Sequence, residues 1–224
     1  MILLRPTIIY FIFLFLCFSA YTQPRVNPQQ PEVNKPVFEG SIKCVQQSKV
    51  DTVYYTFYVK DKKVRVDEIN NGIDNSLIFD LDKKTIVALS PQKKLYMNIP
   101  TTPYVDGENE NFNIIKSNNS KIINGYKCYQ WRVRNTEQNT EIAYWVAYDN
   151  FEFFEEFLKL WNKREKQFTF FLKIPDISGV FPMQQVERTL LRDERCRQEV
   201  VSVEKKEIKD DIFAIPKDFK NYDH

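Results

Sequence analysis

The chain has 224 residues, of which 43% are hydrophobic and 15% aromatic, and its formal net charge at pH 7 is only +2. This content is enough for the core of one domain, whereas a nucleic-acid-binding protein ordinarily carries a clustered basic face. Here acidic and basic side chains are interleaved along the chain, so we expect no nucleic-acid partner.

Residues 1–22 have the parts of an export signal. Arg5 supplies a positive charge, residues 8–18 are an uninterrupted apolar run, and Ala20 with Thr22 offers small residues for cleavage. The apolar run is shorter than the ~20 residues of a membrane-spanning helix. We therefore expect an exported protein, periplasmic or associated with the outer membrane, and peripheral to the membrane rather than spanning it.

The segment after the signal, residues 23–36, carries four prolines among polar residues. It has too little apolar material to offset the entropy of ordering, and it is predicted to be a flexible tether. Residues 37–224 then have the length of a single domain.

A period of two in β-branched and aromatic residues dominates this domain, which is typical of strands whose alternate side chains lie on opposite faces of a sheet. The predicted strands cover residues 38–46, 52–60, 64–69, 77–81, 85–89, 95–99, 121–123, 126–134, 141–148, 183–191 and 195–208. Short turns such as Asp61-Lys62, Asn71-Gly72 and Asn124-Gly125 join antiparallel neighbours. Residues 100–119 are polar and predict a long loop.

One helix is predicted after Asp149, which is placed to cap it, with Glu152 as the acid of a capping box. Its apolar residues recur at helical spacing and form a wide stripe: Phe151, Phe153, Phe154, Phe157, Leu158, Leu160 and Trp161. A helix so apolar must pack against a sheet or into its hollow. The cluster of Ile212, Phe213, Ile215 and Pro216 is expected to fold the C-terminal tail onto the domain.

Cysteine count predicts one disulfide bond. If Cys17 leaves with the signal, Cys44, Cys128 and Cys196 remain, and an odd number in an oxidising compartment suggests one bridge and one spare thiol. The pairing is not deducible, because the three cysteines lie on separate predicted strands.

Two modification motifs stand at the start of a predicted strand and in the predicted loop. Thr52 lies in the acid, hydroxyl, apolar pattern that some bacteria use for O-glycosylation, and Asn118 begins an N-glycosylation sequon that matters only in a eukaryotic source. Ordinary loop and turn chemistry explains both stretches better than modification does.

Enzymatic function is disfavoured by composition. The one histidine is His224, so a nucleophile would lack its usual base and a metal its commonest ligand. The 5 glycines are scattered and form no phosphate-binding loop. Acidic pairs such as Glu155 with Glu156 are explained by solvation. We predict no catalysis, no metal and no cofactor.

Six stretches occur in an order that resembles the secreted domains of unknown function of Gram-negative bacteria, which are similar to the periplasmic lipoprotein-carrier half-barrel. They are Phe38-Glu39-Gly40, Lys94-Leu95-Tyr96-Met97, Asn124-Gly125-Tyr126-Lys127-Cys128 with Trp131, Tyr144-Trp145-Val146, Gly179-Val180-Phe181-Pro182-Met183, and residues 212–220. The resemblance implies a mainly β (α+β) fold in which a strongly curved antiparallel sheet wraps around one apolar helix. Carriers of this shape have a helix before the first strand, where this chain is proline-rich.

The leading hypothesis is a non-catalytic envelope protein that holds a lipid or the acyl chain of an acylated protein in the concave sheet. Eight aromatic residues are candidates for the ligand-binding surface, although ordinary core packing accounts for them equally well: Tyr54, Phe57, Tyr58, Trp131, Trp145, Phe154, Phe157 and Trp161. The alternative is an interaction module or structural subunit that takes a segment of another envelope protein. The proline-rich tether and the lack of a first helix favour that alternative.

Overall fold

A computed structural model describes residues 37–107 and 111–222. The predicted signal 1–22, the predicted tether 23–36 and His224 lie outside the described residues. The strands are β1 (Gly40–Ser48), β2 (Thr52–Lys60), β3 (Lys63–Asn70), β4 (Ile73–Asp80), β5 (Thr85–Ser90), β6 (Leu95–Ile99), β7 (Phe112–Ile123), β8 (Tyr126–Asn135), β9 (Thr140–Tyr148), β10 (Val180–Arg188), β11 (Glu194–Lys205) and β12 (Lys220–Asn221). The helices are α1 (Phe153–Trp161) and α2 (Lys166–Leu172), with a 3-10 helix at Asp210–Phe213.

The twelve described strands form one open, curved sheet in the order β12-β6-β5-β4-β3-β2-β1-β11-β10-β9-β8-β7. The predicted mainly β fold and the curved sheet are therefore confirmed. The described pairs are antiparallel except that β12 runs parallel to β6 over two residues. The prediction of a wholly antiparallel sheet is therefore wrong at this edge. The C-terminal segment leaves β11 in the middle of the sheet and crosses to β6, whereas a hairpin would have made the two strands antiparallel.

The prediction of strands was most accurate where alternation was regular. β2 and β6 have the predicted bounds, whereas β7 takes up part of the predicted loop 100–119. The register of β7 against β8 is irregular between Lys116 and Ser120, and such a bulge breaks the period of two from which a strand is recognised.

Two glycine-containing turns make the hairpins tight. Asn71 and Gly72 have φ of 50° and 76°, and Asn124 and Gly125 have 49° and 80°, as two-residue type I′ turns require. Gly40 has a different role, since its φ is +152° and a Cβ there would collide with the backbone carbonyl of Glu204. Only glycine permits this close approach of β1 and β11.

Helix α1 begins later than predicted. The backbone N–H groups of Asp149 and Phe151 donate to the carbonyl of Gly179 at 3.4 and 3.3 Å, so this stretch is held in a non-helical conformation. The Asp149 carboxylate pairs with Lys205 instead of capping the helix, and Glu152, at the N-cap, makes no side-chain capping bond. The predicted Asp149 cap is therefore wrong.

A second helix, α2, was missed, so the expectation of one helix is wrong. Asn162 ends α1 in the left-handed conformation with φ 48°, and its N–H donates to the carbonyl of Leu158 at 2.9 Å. This cap turns the chain back so that α2 packs beside α1. Short helices of this kind are stabilised by packing rather than by their own sequence.

The core lies between the curved sheet and these two helices. Phe157 packs edge to face on Phe57 of β2, with ring centroids 5.8 Å apart, and on Phe79 of β4 at 4.7 Å. Phe154 contacts Phe181 of β10 at 4.6 Å and Phe171 of α2 at 5.5 Å. The prediction that the apolar helix lies in the hollow of the sheet is confirmed. We call this side of the sheet the inner face.

The opposite, outer face is partly covered by the C-terminal tail. Lys60 Nζ donates to the carbonyl of Ile208 at 3.0 Å, and Arg65 Nη1 donates to that of Ile212 at 2.9 Å. Under the tail, Ile78 is buried, as is Ile208 itself. The tail thus folds onto the domain as predicted, but it is held by its backbone carbonyls and Ile208 rather than by burial of the apolar cluster, in which Ile215 is 37% exposed.

The expected disulfide bond is not formed, and the three cysteines are free thiols. In the register, Cys44 pairs with Val200 and Ser48 with Cys196, so Cys44 and Cys196 are four residues apart along neighbouring strands. That offset is about 13 Å, well beyond the ~7 Å that a disulfide spans. Cys128 is on β8, which β9 and β10 separate from β11.

Candidate functional site

Strands β2 to β6 give the inner face two apolar rows. Residues that pair directly in an antiparallel sheet share a face, and the register here has no irregularity. The first row, nearer the helices, is Val59, Val64, Phe79, Ile86 and Ile99. The second row is Phe57, Val66, Leu77, Ala88 and Met97. Contacts of Phe57 and Phe79 with Phe157 place both rows on the inner face.

On β4 and β5, the first row is more completely covered than the second. Phe79 and Ile86 are buried, whereas Leu77, Ala88 and Met97 are only half-buried. The second row therefore presents apolar side chains toward solvent in the hollow of the sheet.

The first cavity lies over this part of the second row and has a volume of about 430 Å³. Its floor is formed by apolar side chains from β3 to β6: Val66, Leu77, Ala88, Leu95 and Met97. Glu68, Lys93 and Tyr222 add polar groups. The volume falls within the range of about 300–1,000 Å³ that is usual for small-molecule sites, and such sites are mostly apolar with a few polar groups.

Two further cavities surround the C-terminal end of α1. The third cavity, about 430 Å³, is lined by Ile86 and Ile99 of the sheet and by Leu160 of α1. It shares Leu77 with the first cavity. The second cavity, about 240 Å³, lies beside β1, β2 and β11 and shares Trp161 with the third.

Trp161 is held between the sheet and α2. Its ring centroid is 5.7 Å from that of Phe79 and 5.4 Å from that of Phe168. Asn162, the next residue, donates from Nδ2 to Thr102 Oγ1 at 3.1 Å, which ties the end of α1 to the loop after β6. The second and third cavities are thus arranged around a fixed helix end, and we call them, together with the first cavity, the trough.

The second cavity is lined by more charged and amide side chains than either of the other two. Gln185 Nε2 donates to Gln198 Oε1 at 2.7 Å and to Gln167 Oε1 at 3.2 Å, and all three glutamines are buried. Gln167 and Gln198 line the cavity together with Cys196. Burial raises the pKa of the Cys196 thiol, so this thiol is neutral at pH 7.

The structure brings together only some of the eight aromatic residues singled out in the sequence. Phe57 and Trp161 line the second cavity, and Trp161 also lines the third. Phe154 and Phe157 are buried between α1 and the sheet, and Trp131 is only 1% exposed. These three residues belong to the core cluster.

The remaining three candidates face away from the hollow. Tyr54 and Tyr58 alternate with Phe57 along β2 and therefore lie on the outer face, where Tyr54 is 56% exposed. Trp145 points away from its neighbour Tyr144, whose hydroxyl donates to the carbonyl of Gln167 in α2 at 2.8 Å. Lys121 Nζ lies 4.4 Å from the Trp145 ring centroid.

Sequence reasoning missed the aliphatic floor of the first cavity. Leu95, Met97 and Ile99 alternate regularly and so predict one apolar face. Alternation does not indicate whether a helix covers that face, because coverage depends on where α1 ends.

Within the described residues, no group of three or more His, Cys, Asp or Glu side chains is arranged to hold a metal ion. Over the same residues, no helix is long and apolar enough to cross a membrane.

Comparison with known proteins gives one family match. The model of a family described as a domain of unknown function, DUF4412, matches residues 38–219. None of the curated proteins matches the chain.

Solved structures give distant similarities. An uncharacterized conserved protein from Thermus thermophilus is 10% identical with a TM-score of 0.47, covering 82% of this chain and 90% of that chain. A chain of the Pseudomonas aeruginosa MucA/MucB complex is 6% identical with a TM-score of 0.45, covering 80% and 56%. A putative outer membrane lipoprotein-sorting protein domain from Vibrio parahaemolyticus is 7% identical with a TM-score of 0.29, covering 78% and 87%. Similarities of this strength do not transfer a ligand or a partner to this chain.

Proposed function

The chain belongs to the DUF4412 family, and we propose that it is a non-catalytic cell-envelope protein that binds a hydrophobic group, a lipid or the acyl chain of a lipoprotein, on the inner face of its sheet. The observation that carries this proposal is the first cavity. Its floor is aliphatic and half-exposed, and a folded protein gains stability when such surface is covered.

The envelope location rests on the predicted export signal in residues 1–22. A non-catalytic role is supported by the chemistry of the trough. Its titratable side chains are lysines, glutamates, tyrosines and a thiol that burial keeps protonated, and no described side chain is an imidazole. The side chain that most often acts as a general base near neutral pH is therefore lacking among the described residues.

Displacement of a fluorescent fatty-acid analogue by palmitate tests the proposal. Ala88→Phe would place a ring in the first cavity, where β5 has open space, and phenylalanine is a good strand former. We expect this variant to bind the probe about tenfold more weakly, equivalent to about 1.4 kcal/mol, with an unchanged unfolding midpoint. Ala214→Phe, at an exposed position of the tail, is the matched control and should bind like the wild type.

Two results would contradict hydrophobic binding in the first cavity. One is failure of the wild-type protein to bind the probe at micromolar concentration. The other is equal affinity of the wild type and Ala88→Phe for the probe.

A second candidate function is docking of another envelope protein on the edge of the sheet. Among the described strands, β7 lies at one edge of the sheet and pairs only with β8. It has twelve residues, of which Ile115 and Ile122 are 43% and 67% exposed. An unpaired edge of this length can accept an added strand. A stoichiometric partner captured by wild-type protein from envelope extracts, and lost with Ile115→Pro, would support this function over lipid binding.

A further inference from the structure

We propose that the trough is a site for an anionic amphiphile, whose apolar chain lies in the first and third cavities and whose carboxylate or phosphate head is bound by Lys163. This inference rests on the proposed function and adds to it the class of ligand and the residue that recognises its head.

Lys163 stands at the boundary between the apolar and the polar parts of the trough. Like Trp161, it lines both the second and the third cavity. Its Nζ lies 4.0 Å from the centroid of the Trp161 ring. Leu77 lines both the third and the first cavity. A ligand whose head lies at Lys163 can therefore extend its hydrocarbon chain over aliphatic side chains to β6.

The charge of Lys163 is only weakly neutralised. Its Nζ is 3.5 Å from Glu165 Oε1, and the two side chains are 37% and 53% exposed. An exposed pair of this kind contributes at most about 1 kcal/mol, so an incoming anion can replace Glu165. Lys166, the other cation of the second cavity, is already engaged, since its Nζ donates to Thr140 Oγ1 at 2.7 Å and to the Gln138 carbonyl at 3.2 Å.

Other charges limit how deep the head can enter. Glu165 and Glu187 both line the second cavity and would repel an anion placed within it. Glu187 Oε1 is 3.9 Å from Arg195, which offsets part of its charge. The favourable position for an anion is therefore at Lys163, on the side of the third cavity.

The buried amides of the second cavity already have partners. The side-chain oxygens of Gln167 and Gln198 accept from Gln185, which directs their amide N–H groups away from it. These groups meet the thiols of Cys196 and Cys44, and sulfur is a weak hydrogen-bond acceptor. Because Gln167 and Gln198 line the second cavity and not the third, they take no part in binding the head at Lys163.

Three probes with the same sixteen-carbon chain test the proposal: palmitate, hexadecyl phosphate and neutral hexadecanol. Each would be titrated into the full-length protein as it is purified, by displacement of the same fluorescent analogue. We expect the wild type to bind the two anions about tenfold more tightly than hexadecanol, the effect of one charge-assisted contact. A preference for only one of the anions would identify the head as carboxylate or as phosphate.

Variants at Lys163 and Glu165 should have opposite effects. Lys163→Met should remove the preference for anions while leaving hexadecanol binding unchanged. Lys163→Arg, which keeps the positive charge, should keep the preference for anions. Glu165→Gln should bind the anions about two- to threefold more tightly, because the competing carboxylate is gone. Lys209→Met, at an exposed position of the tail, is the control and should match the wild type.

The outcomes separate this inference from the proposed function. Equal affinity of the wild type for all three probes, or an anion preference that survives in Lys163→Met, would overturn the role of Lys163 and leave hydrophobic binding intact. Failure of the wild type to bind any of the probes would contradict the proposed function itself.

Discussion

Phe157 of α1 packs edge to face against Phe79 of β4, with ring centroids 4.7 Å apart and an interplanar angle of 72°. Both rings are fully buried. This contact joins the short helix to the middle of the β1–β6 half of the sheet, and it places the end of α1 beside the apolar row that remains half-exposed. The position of the first and third cavities depends on it.

We expect Phe157→Ala to lower the free energy of unfolding by about 3–5 kcal/mol, because it removes a buried ring from the helix–sheet contact and leaves a cavity. Urea denaturation followed by circular dichroism measures the change. Tyr54→Ala removes a ring of similar size from the outer face, where Tyr54 is 56% exposed, and should cost less than about 1 kcal/mol. Equal losses in the two variants would contradict the role given to Phe157.

Gln185 offers a second test of the interior. Its Nε2 group donates hydrogen bonds to the side-chain oxygens of both Gln167 and Gln198. Gln185→Leu would therefore leave two buried acceptors without their donor. We expect a loss of about 1–3 kcal/mol for each unsatisfied group. Gln47→Leu, at an exposed position of β1, is the control and should be close to neutral. A neutral Gln185→Leu would show that the glutamines are not linked as described.

The three free thiols of the structure can be checked chemically. Denatured but unreduced protein, treated with an alkylating reagent and digested, should give modified peptides for Cys44, Cys128 and Cys196. In the native protein we expect Cys196 to react first, because Cys44 and Cys128 are buried whereas Cys196 is partly exposed. A peptide pair joined by a disulfide bond would refute this arrangement.

Stability should decline at alkaline pH. Burial raises the pKa of Cys44 to about 12 and that of Cys128 to about 11, from an ordinary value of 9.0. Above pH 9 the unfolded chain loses these protons while the folded chain keeps them, so rising pH favours unfolding until the folded pKa is reached.

The expected slope is at most about 1.4 kcal/mol per pH unit for each such thiol, with no contribution from them below pH 8. Denaturation midpoints measured between pH 8 and 11 test this. Cys44→Ala should show a shallower decline than the wild type, and parallel curves for the two proteins would rule out the contribution of Cys44.

Strands whose apolar residues follow a regular period of two could be predicted from the sequence. Thr52–Lys60 alternates β-branched and aromatic residues, and its bounds and antiparallel pairing were predicted correctly. β7 was missed in part because its bulge interrupts the period. The Asp149 cap was wrong because a tertiary contact, the pairing of Asp149 with Lys205 across more than fifty residues, outweighs the local capping motif.

The candidate site was less predictable than the fold. Large aromatic side chains were predicted to form the ligand-binding surface, but Phe154, Phe157 and Trp131 are core residues. The floor of the first cavity instead uses small and aliphatic side chains such as Ala88 and Leu77. These side chains are exposed because α1 ends at Trp161 and does not cover them. The sequences of β4 and β5 do not indicate where α1 ends.

The most direct test of a hydrophobic ligand in the trough is to purify the protein from the envelope of its own source without detergent, extract it with organic solvent and identify released lipids by mass spectrometry. We predict a lipid or fatty acid at a near-equimolar ratio to the wild-type protein and a much smaller amount with Ala88→Phe. An extract from the wild-type protein that contains no lipid above the level of Ala88→Phe would contradict the account.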